Sequence, residues 1–191
     1  MIRRIISAVS VCALIAVDQW TKWLAVASLK NQANIDVIAG VFRFKYVENP
    51  GAAFGFFDNM KFVTVILSGI LLLAALIILF SGKLPKNKIV YISGVLIVAG
   101  GIGNWIDRVS NGFVVDFLDF NLINFPTFNL ADCFVVVGAI LLLIFVIFIY
   151  SDDKDKPIKN VAENTTLTKD GGVSDEKTQD SSDGESGEDK T

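Results

Sequence analysis

The 191-residue chain contains no histidine, and that absence excludes whole classes of chemistry. Ser-His-Asp and Cys-His nucleophiles are ruled out, as is most zinc enzymology, because each draws on imidazole as base or ligand. Cysteine is nearly as scarce. Cys12 and Cys133 stand in separate apolar runs, where they read as small packed hydrophobes rather than as a bridge, so no disulfide framework is expected. Charge is thin too, at 19% of residues against 52% hydrophobic, with a mean hydropathy of +0.54; this is not the balance of a soluble protein. Chemistry is left to carboxylates, Lys, Ser, Tyr or Cys. Neither metal nor cofactor is called for, and no nucleic-acid partner is expected.

What the sequence has instead is apolar length. Four runs, roughly Ile5 to Ser28, Phe62 to Phe80, Ile89 to Ile106 and Leu130 to Tyr150, can cross a hydrocarbon core of ~30 Å, or nearly so, at ~1.5 Å per helical residue. The expected fold is therefore an all-α membrane protein with four transmembrane helices. The first run opens Met-Ile-Arg-Arg but continues through Trp20 and Trp23 without a small-residue cleavage site, and Val11 stands where a lipoprotein signal needs a small residue before Cys12. It reads as a retained helix. Arg3 and Arg4, then Lys83, Lys86 and Lys88, then Lys154, Lys156 and Lys159 all assign the same side to the cytoplasm. Both termini and the middle loop are thus expected inside, with Lys30 to Met60 and Arg108 to Phe128 outside.

In the first outer segment, Phe42-Arg43-Phe44-Lys45-Tyr46 alternates at period two, which predicts a small extracytoplasmic β element, and Asn49-Pro50-Gly51 reads as a turn. From Ser151 to Thr191 there are 12 Asp or Glu against 6 Lys or Arg, a net of −6 that leaves the body at +3. That segment is too poor in apolar residues to fold, so 151–191 is expected to be a disordered acidic cytoplasmic tail behind a membrane domain over 1–150. The Asn164-Thr165-Thr166 triplet is idle on that side.

An Asp or Lys near the centre of a membrane helix costs ~2.5 to 3.5 kcal/mol on insertion scales, so those present call for a reason. They are gathered at one depth: Asp18, Gln19 and Lys22 in the first helix, Asn104, Asp107 and Arg108 in the third, Asn129 and Asp132 opening the fourth. Asp18 and Lys22, four apart, permit an ion pair, with outward snorkelling of Lys22 the structural alternative. Gly100, Gly101 and Gly103 fit close helix packing; Asn104 and Arg108, on one stripe, do not. Asn129-Leu130-Ala131-Asp132 reads equally as an N-cap with an acidic third residue or as part of a catalytic site. Asp116, between Val115 and Phe117, is poorly placed for an idle carboxylate, and Asp119 competes with it.

Taken in order, Asp18-Gln19-Trp20-Thr21-Lys22, Asn49-Pro50-Gly51-Ala52-Ala53-Phe54-Gly55, Gly100-Gly101-Ile102-Gly103-Asn104-Trp105-Ile106-Asp107-Arg108, Val114-Val115-Asp116-Phe117 and Phe128-Asn129-Leu130-Ala131-Asp132 resemble the signature of the lipoprotein signal peptidases, or signal peptidase II. The likeness covers about residues 1 to 150. It implies that Asp116 and Asp132 are a catalytic aspartate pair, with Asp119 outside the matched motif. It also implies that Asn49, Gly51, Asn104, Arg108 and Asn129 line the substrate site, and that Asp18, Gln19, Lys22 and Asp107 support it. The implied reaction removes the signal peptide of a prolipoprotein just before its diacylglyceryl-modified cysteine, at the outer face of a bacterial cytoplasmic membrane. The implied partners are lipidated precursors and membrane lipids, the enzyme acting as a monomer.

The chemistry agrees with the residue types. Two carboxylates sharing a site do not both ionise easily, so one can activate water while the other donates a proton. Asp132, near a helix N terminus that favours negative charge, is the expected base and Asp116 the acid, although the two titrate as a unit. Three rivals make contrary demands. A small transporter would spread polar groups along the whole depth, a Ser-Lys peptidase would pair Lys22 with a serine such as Ser28, and a helical scaffold would leave the outer motifs idle.

Overall fold

A computed structural model describes residues 2–51, 61–123 and 125–150. Ala52 to Gly55 of the second motif and the acidic tail from Ser151 onward lie outside the described residues. Four helices dominate: α1 (Ile2–Leu29), α2 (Lys61–Phe80), α3 (Lys88–Asn111) and α4 (Leu130–Ile144), the last continued by a π-helical stretch at Phe145–Tyr150. Three of them, over Phe62–Phe80, Lys88–Asn111 and Leu130–Ile149, are long and apolar enough to cross a membrane. Helix α1 has the length, at 28 residues, but carries Arg3, Arg4, Asp18, Gln19 and Lys22, and it is not one of those three.

Helix α1 buries one stripe, Ser7, Val11, Asp18, Lys22, Ala25 and Leu29, whose spacings of three, four and seven put them on a single face. Its other faces show Ile5, Ile6, Val9, Trp20 and Trp23 to the surroundings. That inversion, apolar outside and charged inside, is what a lipid solvent requires. Helix α3 is the hub, packed against the other three. It is started by Asn87, whose side chain accepts from the Ile89 amide at 2.8 Å, and stopped by Gly112, at φ 79°. Gly100 is what lets α4 approach, since a Cβ there would stand 2.3 Å from the Ala131 carbonyl oxygen. Helix α2 is tied to α3 by Trp105, whose Nε1 donates to the Val65 carbonyl at 3.1 Å. Val11, Leu79, Val95, Val98 and Ala99 form the core at one end of the bundle.

At the other end sits an antiparallel sheet in the order β1 (Ile35–Ile38), β2 (Phe42–Asn49), β3 (Val114–Phe120). The alternation over Phe42 to Tyr46 predicted β2. The partner strands were not anticipated, because carboxylates at 116 and 119 break the period-two pattern of β3. A register shift between Phe44 and Val47 brings Asn49 level with Val114 and Val47 level with Asp116. Ala25 and Leu29 of α1 pack against Val115 and Phe117, fixing the sheet on the bundle.

Candidate active site

The polar residues of α1, α3, β3 and α4 meet in one hydrogen-bonded cluster. Asp18 is fully buried and Lys22 is 3% exposed, so the outward-snorkelling alternative for Lys22 is overturned. Its Nζ lies 2.9 Å from Asp18 Oδ2, 3.0 Å from Asp107 Oδ2 and 2.9 Å from Asn104 Oδ1. An ammonium has three donors, and here all three are used. A charge with every N–H satisfied gains nothing by leaving for the interface, and its contacts to Asp18, Asp107 and Asn104 include no serine. This removes the ground for a Ser-Lys mechanism.

Gln19 completes the inner layer, its Nε2 donating to Asp107 Oδ1 at 3.0 Å and to the Gly103 carbonyl at 3.1 Å. A side chain at 103 is impossible without rearrangement: its Cβ would lie 2.4 Å from Asp18 Oδ2. The remaining Asp18 oxygen accepts from the Ala131 backbone amide at 3.0 Å, and Asp107 Oδ2 accepts from Val115 N at 3.2 Å. The buried charges of α1 and α3 thus hold the first turn of α4 and the strand that carries Asp116.

Asn129 joins the outer layer together. Its Nδ2 donates to Asp116 Oδ1 at 2.6 Å and to Asn104 Oδ1 at 3.0 Å, and its Oδ1 accepts from Asp132 N at 3.0 Å. Its backbone amide returns a bond to Asp132 Oδ2 at 3.1 Å, closing the capping box that the sequence allowed. Asp132 Oδ1 in turn accepts from Asn104 Nδ2 at 2.7 Å. Asp116, 1% exposed, has its second oxygen covered by Asn49 Nδ2 at 2.8 Å, while Asn49 Oδ1 accepts from Gly51 N. Burial pushes the Asp116 carboxyl up to about 6; the negative charge of Asp132 adds to this, and the Asn49 and Asn129 amides and Lys22 oppose it.

Two clefts reach Asp132. One of about 380 Å³, between α2, α3 and α4, is bordered by Ser68, Leu71, Asn104, Arg108 and Val135; the other, of about 550 Å³, by Asn49, Phe125, Phe128, Cys133 and Val136. Arg108 Nε is buried with no hydrogen-bond partner among the described residues, close to Gly51. Beyond β3 the chain returns to it: Phe128 pairs with Leu118, donating to its carbonyl at 3.0 Å and accepting from its amide at 2.8 Å.

Asp119 is spent elsewhere. It forms an ion pair with Arg43, directly across the β2–β3 ladder, and accepts from Thr127 Oγ1 at 3.3 Å. Three positions along a strand put it on the opposite face from Asp116. The Arg43 partnership was missed at the level of sequence, where only the β2–β3 register would have given it away. Toward the far end of the bundle, the buried polar side chains among the described residues are Ser7 and Ser93, and Ser93 is satisfied by the Ile89 carbonyl at 2.7 Å. Among the described residues, the buried charged and amide side chains are therefore confined to one end, against the transporter reading.

Comparison with known proteins gives a concordant result. The sequence profile of the family described as Signal peptidase (SPase) II matches residues 10–148. A protein named lipoprotein signal peptidase from Streptococcus thermophilus (strain CNRZ 1066) is 41% identical over 142 residues, 74% of this chain and 92% of that one. One of the same name from Caldanaerobacter subterraneus subsp. tengcongensis is 42% identical over 144 residues, covering 73% and 94%. Among solved structures, one described as a bacterial membrane enzyme superposes with a TM-score of 0.68 at 31% identity, over 74% of this chain and 92% of its own.

Proposed function

The chain belongs to the signal peptidase II family and is a peptidase, and from that premise we propose that it removes signal peptides from prolipoproteins with Asp116 and Asp132 as an aspartic pair. The scissile bond in this reading precedes the diacylglyceryl-modified cysteine. The observation that carries it is Asn129, which bonds Asp116 through its side chain and Asp132 through its backbone, coupling the two carboxylates at one point.

In the proposed cycle Asp132, at the N terminus of α4 and open to both clefts, takes a proton from water as that water adds to the peptide carbonyl. Asp116, whose burial favours its protonated form, gives its proton to the departing amine nitrogen, and the C–N bond breaks. Asn49 covers Asp116 and lines one cleft, so its rotation would expose the acid to an entering peptide. Arg108, which borders the first cleft, offers its guanidinium to a carbonyl of the substrate. Largely apolar cleft walls suit a lipidated, membrane-resident substrate.

Helix α1 completes four spans in this reading, because its Asp18 and Lys22 neutralise each other on the inward face. The basic clusters put both termini in the cytoplasm and the aspartates at the outer face. The test is cleavage of a precursor in detergent with and without its diacylglyceryl group. Wild type should cut only the lipidated form, and Asp116→Asn and Asp132→Asn should cut it far more slowly. Full activity in either variant would overturn the assignment.

A further inference from the structure

Among the described residues, the end of the bundle remote from the aspartates carries charge of one sign. Arg3 and Arg4 of α1 share a cleft with Lys86 of the α2–α3 connection, and Lys83 and Lys88 flank Lys86 in the sequence. In α1 the first carboxylate is Asp18, fourteen residues or ~21 Å along the helix from Arg4. A cleft of about 740 Å³ opens here between Ile2, Arg3, Arg4, Leu79, Lys86 and Tyr91, with Gly82 at its edge.

Positive charge on this side serves topology, but topology needs only charge, not geometry. Here the cations are held. Arg4 Nη2 donates to the Ser81 carbonyl at 3.2 Å, and it approaches so closely that a Cβ on Gly82 would stand 2.6 Å from it. Gly82 has φ 79°, so the backbone itself is turned to admit the guanidinium. Arg3 lies over the Tyr91 ring at 5.7 Å. Two guanidiniums fixed by a carbonyl and a ring, with a lysine opposite, leave N–H donors free for an oxyanion. Ile2 and Leu79 supply the apolar continuation that a bare anion would not use.

We propose that this cleft binds the phosphodiester headgroup of an anionic phospholipid, with Arg3, Arg4 and Lys86 on the phosphate and Ile2 and Leu79 against the first carbons of the acyl chains. Basic pockets at the ends of membrane helices suit such headgroups by charge and by depth. The site is far from the aspartates and does not depend on the peptidase reading.

The test is thermal unfolding of the full chain in neutral detergent with added dioleoylphosphatidylglycerol, dioleoylphosphatidylcholine or inorganic phosphate. Phosphatidylglycerol should raise the midpoint saturably and phosphatidylcholine should not. Each cation removed should weaken the half-saturating concentration roughly fivefold, so Arg4→Gln with Lys86→Gln should weaken it roughly 25-fold. The control, Lys83→Gln with Lys88→Gln, changes net charge equally at the same end and should keep most of the effect. Gly82→Ala keeps every charge but displaces Arg4, and should also weaken the lipid response, which separates site geometry from insertion failure. Equal shifts from both lipids, a full shift from phosphate alone, or equal losses in the two double variants would overturn the site.

Discussion

Asn129 Nδ2 lies 2.6 Å from Asp116 Oδ1, a bond made inside the protein with the asparagine wholly buried. The same residue caps α4 through Asp132, so neither aspartate can shift without disturbing the other. Asp116→Asn and Asp132→Asn should each lower kcat/KM by ~10² to 10⁴-fold, the usual weight of positioned proton transfer. The double variant should be little worse than the poorer single one, because one cycle needs both groups. Asp119→Asn, which breaks only the Arg43 pair and the Thr127 contact, should retain most activity; strictly multiplicative losses would refute the dyad.

Stability should depend on pH through Asp116. Its carboxyl is raised from the ordinary 3.8 to about 6, so folding favours the protonated form. That contribution is complete below the ordinary value and is lost as pH climbs through about 6. Asp116→Asn, permanently neutral, should therefore gain on wild type in melting temperature between about pH 4 and about pH 8. A constant difference across that interval would contradict the burial argument.

Lys22→Met should reduce folded, membrane-inserted protein more than it alters the chemistry of what survives. It strands both Asp18 and Asp107, and removing one member of a buried charge cluster costs roughly 3 to 5 kcal/mol. Asp18→Asn added to Lys22→Met should recover part of the abundance, and Asp107→Asn as a third change should recover more. An abundant but inactive single variant would instead give Lys22 a direct part in the reaction.

Gly100→Ala should separate α3 from α4, since its Cβ would press on the Ala131 backbone, which cannot yield as a side chain can. Overpacking of this kind costs roughly 1 to 3 kcal/mol. Cleavage should fall with it, because Asn104, one turn further along α3, holds Asp132. Gly101→Ala meets only Leu72 Cδ1 at 3.0 Å and should be milder in both assays.

Cysteine labelling of intact cells should find position 86 closed to an impermeant reagent, as the basic clusters require. Deleting Asp155 to Thr191 should leave cleavage intact, since every candidate site residue precedes 151. External labelling at 86 would reverse the orientation.

Local relationships were legible in the sequence and distant ones were not. The capping box of Asn129 and Asp132 spans three residues and follows from helix geometry, and the Phe42 to Tyr46 alternation disclosed β2. The apolar runs placed the helix ends to within a few residues. By contrast, the bond from the Ala131 amide to Asp18 joins positions 113 apart, and no local pattern encodes it. Lys22 could be read as a snorkelling residue because its second carboxylate, Asp107, arrives from another helix. Strand β3 escaped for a related reason: its carboxylates serve two different structures, Asp116 the site and Asp119 the sheet.

The return of Phe128 onto Leu118 has a consequence for how this enzyme can vary. Main-chain bonds two residues beyond Asp116 and four before Asp132 act as a caliper, setting the gap between the aspartates. Residues 121–127 are thereby released from any duty to measure that gap. Loop length there can drift between related enzymes, remodelling the rim of the cleft around Phe125, while the jaws stay at a constant opening.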